Sequence, residues 1–190
     1  MLEKYISIIW AIIKNPYEYF SAEMPKGNSV KDALIFAMII GSLAFFAFMV
    51  VSAPTASMQE IAWAAKISLL IFMPALIVMN LYVSAFFVHL AIFFFVPKRS
   101  NFKQTLKVIA YSNATSVLLV VPVIGVFLAA IFNIRAFIFG ISAVHNVSAL
   151  KVFMFFVILP IIILAIFITM VIVLLGATFA TLMEQSTLPW

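Results

Sequence analysis

The chain has 190 residues, is 67% hydrophobic and only 9% charged, and carries a formal net charge of +5 with a mean hydropathy of +1.28. A soluble domain is about half apolar and a quarter charged; so few charges cannot cover a water-soluble surface, and the class is integral membrane protein. The absence of cysteine excludes disulfides, thiolate metal sites and thiol lipidation.

The first element is MLEKYISIIWAIIK. Glu3, Lys4, Ser7, Ala11 and Lys14 share one face at helical spacing, and everything else from Leu2 to Ile13 is apolar, including Tyr5 and Trp10. This predicts an interfacial amphipathic helix with a wide apolar face. It either senses curvature or anionic lipid, or anchors against the bundle. Its apolar core is short, Glu3 sits in the would-be basic region and no small-residue cleavage site follows, so it is expected to stay on the mature protein. Asn15-Pro16 then turns the chain, and YEYF supplies aromatics suited to the interface.

The first apolar run is ALIFAMIIGSLAFFAFMVV, residues 33–51, with Asn28 or Ser29 as its cap and Asp32 completing a capping box with Ser29. Pro54 ends it. Ser57 and Glu60 form a second box before an apolar stretch from Ile67 to Val96, interrupted by Pro74, which reads as one tilted or kinked span. The stretch Val108 to Val144 would be ~55 Å long as one helix, against a hydrocarbon core of ~30 Å. The Pro and Gly of VPVIG, 121–125, divide it. The last run, 152–176, contains Pro160 as a kink.

The prediction is an all-α polytopic membrane protein. A cytoplasmic N-terminal amphipathic helix and linker occupy 1–30, and a short tail occupies 179–190. Between them a five-helix domain covers 31–178, with spans at about 31–52, 67–96, 102–121, 124–144 and 152–177.

The charges give a second route to the count. Lys4, Lys14, Lys26 and Lys31 precede span one; Lys98, Arg99, Lys103 and Lys107 lie between spans two and three; Lys151 precedes span five. The VPVIG turn and the tail carry none, and Lys66 alone lies near the opposite end of span two. Five spans gather the rest on one side, with the N-terminus cytoplasmic and the C-terminus outside. Four spans would move Lys151 across.

Arg135 interrupts the apolar run IFNIRAFIFG, and each of the six acids (Glu3, Glu18, Glu23, Asp32, Glu60, Glu184) lies outside the spans. A mid-helix arginine costs ~2.5–3.5 kcal/mol on insertion scales. Its possible partners are helix carbonyls, the amides of Asn133, Asn80 or Asn113, cavity water, a lipid phosphate or another chain. It either snorkels to the interface or faces a pocket for an anion such as a phospholipid head group.

The candidate ligand or head-group set is therefore Arg135, Asn133, His89 and His145. Lys98, Arg99, Lys103, Lys107 and Lys151 form a basic cytoplasmic surface that attracts anionic lipid at ~1 kcal/mol per charge. No cofactor, nucleic-acid partner or metal is expected, since two histidines without carboxylates or thiolates make no metal site. The sequence holds no H-E-x-x-H, no G-x-S-x-G and no intramembrane acid pair, which argues against an enzyme. Gly125, Ala129 and Asn133, with Ala136 and Gly140, repeat every four residues and allow close helix packing.

Residues 102–156 resemble the second half of the Yip family, membrane proteins named for interacting with Ypt/Rab GTPases. The likeness rests on LKVIAYS at 106–112 after a basic helix start, the hairpin VPVIG, and GISAVHNVSALK at 140–151; NPYEYF at 15–20 resembles the Asn-Pro-aromatic opening of prokaryotic members. The resemblance implies a five-span, non-enzymatic adaptor or organiser of membrane proteins and lipids. Such proteins serve trafficking in eukaryotes and look like accessories of export systems in prokaryotes. It implies membrane lipids, a membrane-protein partner or a second copy as partners. The DLYGP-type motif of the Rab-binding branch is absent, and only about 30 residues precede span one, so a compact prokaryotic plasma-membrane member without a Rab partner is expected. The reading from another class is transport, a scramblase or channel for lipid or a small anion with Arg135, Asn133 and His89 lining its path.

Overall fold

The computed structural model describes residues 2–24, 29–52, 63–97, 99–121 and 124–186. The second capping box at Ser57 and Glu60, Lys98, and Pro122 of the hairpin lie outside the described residues, as does the side chain of Lys66. All regular structure among the described residues is helical. The chain divides into two compact units, Met1–Ala149 and Leu150–Trp190.

In the first unit, α1 (Leu2–Lys14) ends where Pro16 removes a backbone donor. Asn15 caps the one-turn α2 (Pro16–Glu18), accepting from the Glu18 N–H through its side-chain oxygen and donating its amide N–H to the Glu18 carboxylate. A π-turn over Tyr19–Glu23 follows.

α3 (Val30–Ser52) starts on the expected box: the Ser29 N–H donates to Asp32 Oδ2 at 3.0 Å and the Asp32 N–H to Ser29 Oγ at 3.1 Å. α4 (Trp63–Phe95) is 33 residues long and retains Pro74 inside. α5 (Phe102–Ser112) is capped by Asn101 and runs directly into a 3-10 segment, Asn113–Val120. α6 (Ile124–His145) ends on Asn146 at φ 53°, and the Val147 N–H reaches back to the Ser142 carbonyl in a Schellman-type close.

In the second unit, the chain continues from α7 (Ala149–Phe153) through a π-turn, Met154–Ile158, into α8 (Leu159–Ser186). Pro160, the expected kink, lies two residues beyond this π-turn. Its missing N–H would leave the Phe156 carbonyl unpaired in an α-helix, and the π-turn just before it shifts the bonding pattern.

Four helices among the described residues are long and apolar enough to cross a membrane: Val30–Val50, Ile71–Phe95, Ile124–His145 and Ala149–Gly176. The expected third span at 102–121 falls on the pair of shorter segments, α5 and the 3-10 turn.

The core of the first unit is aromatic. Tyr19, Phe20, Phe36 and Tyr111 are all buried, with ring centroids 5.2 Å apart for Phe36 and Tyr111 and 5.6 Å for Tyr19 and Tyr111. The aromatics of YEYF therefore divide: Tyr17 is exposed, while Tyr19 and Phe20 are drawn inward. Gly140 makes this possible, because a Cβ there would lie 2.6 Å from Val108 and 3.0 Å from the Phe20 ring.

Candidate functional site

The polar side chains of the helices form two ties within the first unit. The first begins at the end of α1. Pro16 has no N–H to give the Ile12 carbonyl, and the Glu18 N–H goes to Asn15 Oδ1 instead of the Lys14 carbonyl, so the end of α1 is short of helical donors. Arg135, from the middle of α6, brings two donors to this end: its Nη1 donates to the Ile13 carbonyl at 2.9 Å and its Nη2 to the Lys14 carbonyl at 3.2 Å. A planar guanidinium matches two adjacent carbonyls, and a cation suits the negative end of a helix dipole. Of the partners open to Arg135 in the sequence, it takes helix carbonyls.

Two residues earlier on α6, the Asn133 amide donates to the Ser112 carbonyl at 3.1 Å, where Thr115 Oγ1 also donates. That carbonyl marks the junction of α5 and the 3-10 segment, so two side-chain donors hold the point where the helix type changes. Asn80 is exposed on α4, and Asn113 is the first residue of the 3-10 segment.

The second tie joins three helices. The Ser100 N–H donates to His145 Nδ1 at 3.1 Å, so His145 carries its proton on Nε2. That N–H lies 3.0 Å from Thr105 Oγ1, which in turn lies 2.9 Å from His89 Nδ1. The threonine oxygen accepts from His145, and its bond with His89 completes the line. The chain of bonds thus links Ser100, His145, Thr105 and His89. Ser100 Oγ also donates to the Val144 carbonyl at 2.6 Å. Thr105 and His145 are fully buried, which makes each of these bonds costly to lose.

The four expected ligand residues therefore fall into two separate ties: Arg135 and Asn133 in one, His89 and His145 in the other. Thr105 and Ser100, which complete the second, gave no motif in sequence, since a lone Thr in a basic helix start carries no signal until α4 and α6 are brought beside it.

The basic residues also separate. Arg99 stacks on Phe93, 3.9 Å above the ring. Lys151 is exposed in the second unit. Lys103 and Lys107, one turn apart on α5, line a groove of about 600 Å³ together with Lys31, Gln104, Asn101 and Tyr82. Lys31 was not among the expected surface residues. Among the described residues no group of three or more His, Asp or Glu side chains is arranged to hold a metal ion.

The family profile described as Yip1 domain matches residues 10–183. No curated protein and no solved structure matches the chain.

Proposed function

The chain belongs to the Yip1 domain family, and on that premise we propose that it is a non-enzymatic, five-span adaptor or organiser of membrane proteins and lipids. The observation that carries this reading is the use made of its polar residues. Asn133, Arg135, Thr105 and His145 each bind another segment of the same chain. They make a scaffold of fixed shape, whereas a transport path needs polar groups left available to a passing solute.

Three further observations support the finer points. At 1.5 Å per α residue and 2.0 Å per 3-10 residue, α5 with its 3-10 continuation is about 32 Å long, close to the ~33 Å of α6. Both therefore fit a hydrocarbon core of ~30 Å, and the third span counts as a crossing despite its change of helix type. Five crossings put Lys31, Lys103, Lys107 and Lys151 on the cytoplasmic side and the C-terminus outside. In α1, Ile8 and Ile12 are buried while Trp10 is 66% exposed and Glu3, Lys4, Ser7 and Lys14 are exposed. Its wide apolar face thus divides between protein and lipid, as an interfacial helix held against the bundle requires.

Because the protein has no cysteine, single cysteines report topology directly. We expect V121C to be labelled only from outside, and S7C, N101C and N146C only from the cytoplasm. Protection of V121C from outside reagents would sink the five-span reading. The adaptor role is tested by mass spectrometry of the protein purified in mild detergent. A stoichiometric membrane-protein partner or a second copy supports it. Lipid scrambling or anion flux in liposomes, lost in Arg135→Leu, would instead make the protein a transporter.

A further inference from the structure

Among the described residues, the groove between the starts of α3 and α5 holds three cationic side chains and no anion. Lys31 comes from the first turn of α3, Lys103 and Lys107 from successive turns of α5. Lys107 is only 9% exposed, and among the described residues no hydrogen bond or ion pair takes its ammonium group. Its stem is buried while its ammonium group stays open to the groove, so an anion brought there gains a charge-assisted hydrogen bond. The carboxylate nearest in sequence, Asp32, is engaged by Ser29 in the capping box.

Two further features point into the same groove. Asn101 satisfies the Gln104 N–H, but the first amides of α5, Phe102 and Lys103, have no intrahelical acceptor, and together with the helix dipole they favour an anion. Gln104 Oε1 is buried without a partner. It calls for a hydrogen-bond donor, or, with the amide turned over, offers the anion one more N–H. Apart from Ser29, the remaining lining is apolar: Val30, Phe102, Leu106 and the ring of Tyr82.

We propose that this groove is a phosphate-binding site that takes the head group of an anionic phospholipid. The phosphate lies among Lys31, Lys103 and Lys107 over the start of α5. A head-group hydroxyl or ammonium serves Gln104, and the first acyl carbons lie along Val30, Leu106 and Tyr82. The proposal deepens the organiser reading by naming a lipid class and its site, and it rests on the basic end of the protein meeting the head-group layer.

The test is native mass spectrometry of the full chain in detergent, titrated with phosphatidylglycerol, phosphatidylcholine or inorganic phosphate. We expect one phosphatidylglycerol per chain, bound at least tenfold more tightly than phosphatidylcholine. The bound lipid is not displaced by millimolar phosphate. In Lys31→Ala/Lys103→Ala, which alters only exposed positions and leaves the circular dichroism unchanged, affinity falls at least tenfold; Lys107→Gln alone gives a smaller fall in the same direction. Equal binding of the two lipids, or unchanged phosphatidylglycerol binding in the double variant, overturns the site. Phosphate that binds alone with the same lysine dependence and expels the lipid overturns the lipid assignment. If the cysteine labelling holds while these measurements fail, only the groove proposal falls.

Discussion

α6 and α8 are both long apolar helices, yet the chain uses them differently. α6 carries Asn133, Arg135, Ser142 and His145, and each of these side chains reaches another segment or closes the helix end. The span Ala149–Gly176 has the higher mean hydropathy, 3.3 against 2.1 for α6. Its Thr169 hydroxyl turns back to the Ala165 carbonyl of its own helix. The comparison separates two requirements on a membrane helix. Hydropathy alone is enough to insert one, but polar atoms and glycines specify which neighbours it keeps.

Substitutions can break or sharpen that contrast. The largest expected effect is at Arg135. Arg135→Leu leaves the Ile13 and Lys14 carbonyls without donors and lowers unfolding stability in detergent by about 3 kcal/mol, with Arg135→Lys recovering part of the loss. Labelling of a cysteine at Ser7 should quicken in parallel as α1 comes loose; an unchanged rate would show that α1 is held by its apolar face alone.

Next is Thr105→Val, which keeps the shape but leaves both His89 and His145 short of a partner. It should cost about 2 kcal/mol, read as a lowered midpoint in thermal unfolding. Glycine gives the sharpest paired test. Gly140→Ala forces Val108 and Phe20 apart and should cost about 1–2 kcal/mol. Gly176→Ala meets nothing within 4 Å and should gain up to ~1 kcal/mol from helix propensity. Smallest of all, Thr169→Val should stay within ~0.5 kcal/mol.

Much of this frame could be read from local sequence. The Ser29–Asp32 box, the break at Pro16 and the need for a partner at Arg135 are local facts, because caps and prolines act within a few residues. What could not be read is which carbonyls Arg135 serves, since Ile13 and Lys14 lie 122 and 121 residues away. Apolar periodicity was silent on neighbours for the same reason: lipid and protein interior reward the same side chains, so YEYF read as interface although Tyr19 and Phe20 belong to the core. The change from α5 to a 3-10 turn was hidden too, as it depends on Asn133 and Thr115 meeting at the Ser112 carbonyl. In sequence Lys31 is only a charge before span one; its meeting with Lys103 and Lys107 follows from α3 and α5 starting side by side.

The reach of Arg135 also sets an order of events during synthesis. Residues 13 and 14 leave the ribosome 121 or more residues ahead of the side chain that caps them. At about 5–20 residues per second this is a wait of roughly 6–24 seconds. Until then the Ile13 and Lys14 carbonyls lack the donors that Arg135 later brings. The docking of α1 marks the moment when α6 has been delivered, so an early segment is fixed late.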